Sequence, residues 1–364
     1  MKILAVDIGL GTQDVLLYDD RKNLENCVKL VLPSPTKIFM EKAEEKMRKK
    51  RNLLVKGEII GGGPLKNLFL NHIKNGFKVV MTEEAAYTIR NSLEEVEALG
   101  IKIVKDENEL EKFDGEILEL KELDLKILEE FLLKFNEKIF DVDFVAVAVQ
   151  DSGVAPKGVE NRRFRLQKIR EFLSKNPKPE ALAFKEDEVP PYFLRMKSAV
   201  KTVKKQMPNT KILVMDTAPA AILGCLKDPK IEEEKPEKVL AVNAGNAHTM
   251  AAIVFEGENI QGIFEHHTRM LKGGKAEKLL KGFVEGKISD EDVRVDGGHG
   301  LFYLQGFKPA KPEKFRFVVT GPNRGILEKA DIGGGKAYFA APAGDVMMTG
   351  TFGLVEAVKR KFFI

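Results

Sequence analysis

The chain carries only two cysteines, Cys27 and Cys225, and no tryptophan in its 364 residues, and neither thiol sits in a CxxC spacing. Two thiolates cannot supply the three or four ligands of an iron–sulfur cluster or of a cysteine-built structural zinc site. Long hydrophobic runs are missing as well. The opening Ile3-Leu4-Ala5-Val6 stops at Asp7, too short for a signal peptide, and no run of eighteen apolar residues follows. A cytoplasmic protein with no membrane partner is therefore expected. Nor does one charge dominate: 59 Lys+Arg against 55 Asp+Glu leave a net +4, with the two signs interspersed. Nucleic-acid binders concentrate positive charge on a face or stripe, so no nucleic-acid partner is expected either. The single basic cluster, Lys46 to Arg51, reads as the solvated end of a helix. High Lys and Glu content without Trp suits a thermophilic source.

What remains is a globular composition, 43% apolar, in a chain long enough for one large domain or two ordinary ones. Apolar runs at 3–6 and 15–18, joined by a glycine-bearing turn, predict a β-hairpin. Strand character at 53–64, ending in three glycines and a proline, and at 77–82 and 101–104 alternates with helical patterns at 41–51, 67–75 and 83–99, which predicts an α/β layer fold. A helix is expected over 123–139, with Leu125, Leu128, Leu132 and Phe135 on one face. It leads into a strand buried on both sides that ends at Asp151. Residues 160–210 read as a helix, a surface excursion and a second helix. A strand then ends at Asp216 and a helix follows it. Residues 227–238 have Ile231 as their only apolar side chain and read as a linker.

The segment after that linker repeats the opening. Residues 5–17 (AVDIGLGTQDVLL) align with 241–253 (AVNAGNAHTMAAI), so that Asp7 meets Asn243, Gly9 meets Gly245 and Asp14 meets Met250. Two strand–turn–strand units thus head two halves of the chain.

Such halves resemble the actin-like ATPase superfamily of sugar kinases, acetate kinases, Hsp70 and actin. Asp7-x-Gly9-x-Gly11-Thr12 resembles its first phosphate loop, and the loop bearing Asn243, Gly245 and Asn246 its second. Residues 215–224 resemble the segment crossing between lobes, 318–325 (VVTGPNRG) the turn supporting adenosine, and 347–362 the closing strand and helix. The resemblance implies a two-lobed, ribonuclease H-like α/β fold with a duplicated hairpin-headed sheet and an interlobe cleft. The first lobe would span 1–222, with an irregular insertion at about 153–210, the second 223–345, and a closing helix at 346–364 would pack back on the first. More narrowly, the sequence resembles an uncharacterised archaeal family often labelled pyruvate formate-lyase activating enzyme-related. A radical-SAM activase needs a CxxxCxxC triad, which is absent here.

The resemblance implies ATP and Mg²⁺ as cofactors and a small molecule as substrate. Backbone N–H groups of a tight glycine turn can converge on phosphate oxygens. Asp7 would hold Mg²⁺, Thr12 would donate to a phosphate, and Gly321 would lie under the adenosine. The simpler alternative is a hairpin whose aspartate caps its own turn. Asn243 cannot ionise, so the second loop contributes no charge to a metal. Asp151 is the preferred proton acceptor for a kinase and Asp216 the second choice.

The histidines offer a competing reading. His248, His266, His267 and His299 lie beside glycine turns or polar strand ends, and His266 and His267 must point to opposite strand faces. With Asn243 and Asn246 they offer a transition-metal or anion site, which would make the chain a metal-dependent hydrolase or a substrate-binding protein. A third reading is a non-catalytic nucleotide sensor. Glycine triplets at 61–63 and 333–335 lack the spacing of a P-loop or a dinucleotide fingerprint and read as loops.

Overall fold

The computed structural model describes residues 1–105, 110, 113–332 and 335–363. In the first lobe, β1 (Lys2–Ile8), β2 (Thr12–Asp19) and β3 (Val28–Pro33) form an antiparallel meander. A separate sheet is inserted next, from β4 (Leu53–Gly57), β5 (Val79–Thr82), β6 (Lys102–Val104) and β7 (Glu116–Leu120), all parallel. The chain then returns with β8 (Phe144–Val149), β9 (Ala183–Lys185) and β10 (Lys211–Met215), giving the sheet order β3-β2-β1-β8-β10-β9. All six residues of β8 are buried, as its unbroken run of Phe, Val and Ala demands between two parallel neighbours.

The second lobe repeats the plan. Strands β11 (Lys238–Ala244), β12 (His248–Phe255), β13 (Asn259–His267), β14 (Gly300–Tyr303), β15 (Arg316–Thr320) and β16 (Tyr338–Phe339) build a sheet of order β14-β13-β12-β11-β15-β16. In each sheet an antiparallel meander leads, through its first strand, to two parallel strands on the other side, and in the first lobe β9 closes the edge antiparallel to β10. This duplicated topology is the two-lobed, ribonuclease H-like arrangement expected from the sequence. The repeat extends to the turns: Gly9 N donates to Thr12 O at 2.9 Å, and Gly245 N donates to His248 O at 3.0 Å.

One core is shared by both sheets and the helices Thr217–Leu226 and Thr349–Phe363 between them, drawing Ala5 and Ala146 from one side and Ala241 and Met250 from the other. The outer faces have cores of their own, and the inserted sheet has a fourth.

Several expectations change. The insertion lies before β8, as the parallel sheet, whereas 153–210 supplies helices Asn161–Lys175 and Leu194–Gln206 that flank the first lobe's sheet. Residues 83–99 form two short helices, Glu83–Ala86 and Leu93–Glu97, because Ser92 starts a new one by accepting from Glu95 N. The helix expected to reach residue 139 is Leu125–Leu133, and Phe135 lies beyond it, 67% exposed. Residues 227–238 are no linker. Asp228 caps helix Pro229–Glu234, and its carboxylate also accepts from the Tyr338 hydroxyl and Ala341 N. The closing element has a 3₁₀ turn, Val346–Met348, where a strand was expected, followed by the helix. Of the second glycine triplet, Gly333 and Gly334 lie outside the described residues.

Candidate functional site

A cleft of about 820 Å³ opens where the two hairpin turns face each other. Asp7, Gly9 and Thr12 line it from the first lobe, Asn243, Gly245, Asn246 and Gly321 from the second, with Asp151 and Asp216 also at its wall. Gly11 marks the contact between the lobes: a β-carbon there would overlap the Asn246 amide. Residues 59–64, at the carboxyl end of β4, add the inserted sheet's edge to the cleft.

The charge in this cleft is unusual. Strand register sets Asp7 opposite Asp14, and Oδ1 of each is shielded from solvent with no hydrogen-bond partner among the described residues. Burial, reinforced by Asp14 and Asp216 and opposed by Arg195, raises the Asp7 carboxyl well above its ordinary range. Burial also pushes Asp14 up to about 7, against a weak bond from Thr12 Oγ1 at 3.4 Å. Two desolvated carboxylates, each with one oxygen left unpaired, are costly unless a cation or a proton joins them. Gly350 makes room for one of them, since a β-carbon there would overlap Asp7 Oδ2. At the corresponding place in the second hairpin stand Asn243 and Met250, which bring no charge. Gly321 has φ +94° and sits so near Ala244 O and Asn243 Oδ1 that only glycine fits behind the second loop.

The two aspartates proposed as bases are both engaged. Asp151 Oδ1 accepts from Gly153 N at 2.8 Å, and Oδ2 accepts from Arg195 N and Met196 N at 2.8 and 3.1 Å, so the side chain anchors the start of helix Leu194–Gln206. Asp216 caps helix Thr217–Leu226 through Ala218 N and binds Arg165, whose Nη2 is 3.0 Å from Oδ1. Arg165 reaches on to Glu265 at 3.2 Å through both Nε and Nη2. Although burial works to raise it, Arg165 together with the neighbouring His299 and His248 holds the Glu265 carboxyl well below the ordinary range. Both aspartates thus accept from backbone or guanidinium N–H groups and fix helices and arginines around the cleft. Asp14 and Arg165 were missed by the sequence reading. Asp14 is paired with Asp7 by hairpin register, a signal present in the alternation of β1 and β2, whereas the arginine's partners come from three distant segments.

The histidines divide as the strand pleat requires. His248 and His267 are direct cross-strand partners on β12 and β13, and His299 lies just before β14, its N–H donating to Glu265 O at 2.9 Å. Their rings pack together, with centroids 4.5–5.1 Å apart. His266 is not part of this group. It points to the other sheet face, fully buried, with Nε2 2.9 Å from Asp296 Oδ2.

Among the described residues no helix is long and apolar enough to cross a membrane. No curated protein matches the chain. Several solved structures resemble it at low identity. A PilM–PilN type IV pilus biogenesis complex is 10% identical, with 98% of this chain and 99% of that one covered and a TM-score of 0.42. The activator of 2-hydroxyisocaproyl-CoA dehydratase from Clostridium difficile is 9% identical over 100% and 98% of the chains, with a TM-score of 0.34. A putative sugar kinase from Cytophaga hutchinsonii is 9% identical over 98% and 100%, with a TM-score of 0.35. The match that assigns a family is of another kind, since it spans most of the sequence. Over residues 60–326 the chain fits the model described as "Putative pyruvate format-lyase activating enzyme (DUF1786)", and it belongs to that family.

Proposed function

We propose that the interlobe cleft binds a Mg²⁺–nucleotide, ATP in the first instance, and that the protein transfers its terminal phosphoryl group to a small molecule. The observation that carries this reading is the pair of facing glycine hairpins with two carboxylates, Asp7 and Asp14, at the root of one of them, each with one shielded oxygen that has no hydrogen-bond partner among the described residues. Divalent cations with oxygen ligands fit that donor set, and Asp7 and Asp14 would hold the ion. Bound there, Mg²⁺ would neutralise charge on the phosphates. With the Gly9 and Gly245 N–H groups closing the turns, the other N–H groups at the two hairpin tips, at Leu10 to Gly11 and at Asn246, are the phosphate donors, and Gly321 supports the nucleoside side. Phosphoryl transfer depends mainly on positioning and electrostatics. Asp151 and Asp216 accordingly act as anchors, the first for the helix bearing Arg195 and the second for Arg165.

The family's descriptive label implies other chemistry. A radical-SAM activase ligates its cluster through three thiolates, and this chain has two cysteines, both buried. The donor set does not fit that cluster.

A second reading, nucleotide sensing without turnover, is favoured by the neutral Asn243 and by the engaged state of both candidate bases. Calorimetric titration with ATP and ADP, with and without Mg²⁺, on the intact protein and on Asp7→Ala tests the shared part. Saturable Mg²⁺-dependent binding that the substitution removes supports it, and no binding to the intact protein overturns it. Turnover of ATP with a pool of small metabolites then separates transfer from sensing.

A further inference from the structure

We infer that His248, His267 and His299 form a site for one divalent transition-metal ion of the zinc class, on the wall of the cleft and separate from the carboxylate site. One nitrogen from each ring lies within 4.8 Å of the other two. Ligand nitrogens about 2.0–2.1 Å from a tetrahedral zinc stand roughly 3.4 Å apart, so a small inward rotation of the rings closes the set.

The protonation pattern is already arranged for a metal. His299 Nδ1 donates to Glu265 Oε2 at 3.2 Å, which leaves Nε2 as the lone-pair nitrogen. That Nε2 is buried with no hydrogen-bond partner among the described residues, on a residue only 3% exposed. A shielded nitrogen on a ring packed against two other imidazoles lacks the partner that a stable core would supply, and a transition-metal cation is the ligand that suits three imidazole donors. His248 Nδ1 lies 3.0 Å from Gln150 Oε1 and donates to it, freeing its own Nε2 in the same way. Carboxylate or amide support of a metal-bound ring is the usual means of fixing its tautomer and orientation.

One support, Gln150, comes from the opposite lobe, and the other, Glu265, is tied to that lobe through Arg165. Gln150 follows β8, and Glu265 is held by Arg165 of the helix Asn161–Lys175. Three histidine ligands leave a fourth position, and His248 and His267 both line the cleft, so that position faces the small-molecule side. An ion there would bind and polarise an oxygen ligand next to the proposed nucleotide site.

The test uses Asp7→Asn/Asp14→Asn protein, stripped with a chelator and titrated with Co²⁺ and Zn²⁺ without nucleotide. The carboxylate site cannot then account for binding, and failure of the nucleotide reading leaves the result intact. One equivalent of Co²⁺ with visible absorption of a tetrahedral or five-coordinate ion is expected, displaced by Zn²⁺. His267→Ala, at the least buried of the three positions, should abolish that band, Gln150→Ala should weaken the ion about 10–100-fold, and His266→Ala should leave the band unchanged. Circular dichroism checks that each variant is folded. Absence of stoichiometric binding to the folded parent, or binding that survives His267→Ala unchanged, overturns the site.

Discussion

Asp7 and Asp14 stand directly opposite each other across the first hairpin, and each keeps one shielded carboxylate oxygen without a hydrogen-bond partner among the described residues. The pairing follows from register alone, since the turn bond from Gly9 N to Thr12 O fixes which residues of β1 and β2 meet. A hairpin that only had to be stable would place apolar or hydrogen-bonded side chains there.

This pair sets a pH dependence. The folded pKa of Asp14, about 7, lies above its ordinary value of 3.8, so its contribution to stability is fully present below about 3.8 and is lost as pH rises through 7. Metal-free protein should therefore lose stability from about pH 4 to pH 7, with the loss complete by pH 8, and Asp14→Asn should remove the share of it that Asp14 carries. At pH 8 the variant is expected to be the more stable by on the order of 1–4 kcal/mol. Urea unfolding at about pH 4 and pH 8 in the presence of a chelator measures it. A pH profile unchanged by the substitution would remove the basis for an uncharged Asp14 at neutral pH.

Gly350→Ala tests the carboxylate's position. A methyl group there meets Asp7 Oδ2 and must displace the side chain. The helix itself tolerates alanine, which is favoured over glycine by about 1 kcal/mol in a helix interior. We expect Mg²⁺-dependent nucleotide binding to fall by at least about tenfold, a loss of roughly 1.4 kcal/mol, while the far-ultraviolet circular dichroism stays the same. Titration calorimetry on the variant decides it, and undiminished affinity would show that Asp7 does not hold the ion.

The sheets, the duplication and most of the cleft were legible in the sequence because hairpins and buried strands are local patterns: Val145 and Val147 alternate faces with Ala146 and Ala148, and Gly9 and Gly245 mark equivalent turns. The engagement of Asp151 and Asp216 was not legible. Strand-end aspartates look alike in sequence whether they cap a helix or face a substrate, and the difference lies in Arg195 and Arg165, which reach them from separate helices. The parallel insertion was misplaced for a related reason. Its strands, β4 to β7, read individually as ordinary strands, and only their pairing with one another shows that they leave the main sheet.

Asn243→Asp tests why the second loop is neutral. The substitution would put a carboxylate where the first hairpin has Asp7, beside Thr320 across the β11–β15 pair. More negative charge in the cleft should weaken binding of metal-free nucleotide through like-charge repulsion and make binding more dependent on Mg²⁺. Nucleotide affinity measured across a Mg²⁺ series should show a steeper dependence in the variant than in the parent. An identical dependence would mean that Asn243 lies too far from the phosphates to matter.

The line Asp216–Arg165–Glu265–His299 joins the two lobes through side chains that are almost completely buried. Arg165 is its only cation among the described bonds, so Arg165→Ala leaves two buried carboxylates facing each other without a counter-ion. Breaking a buried pair by removing one partner typically costs about 3–5 kcal/mol, and a loss of that size is expected in urea unfolding of Arg165→Ala at neutral pH. Arg165→Met with both Asp216→Asn and Glu265→Gln removes the stranded charges along with the cation and should recover much of the loss. If the triple variant is as unstable as Arg165→Ala, the cost lies in lost packing of the guanidinium between the lobes. If Arg165→Ala itself is close to the parent, the arginine does not neutralise these carboxylates in solution.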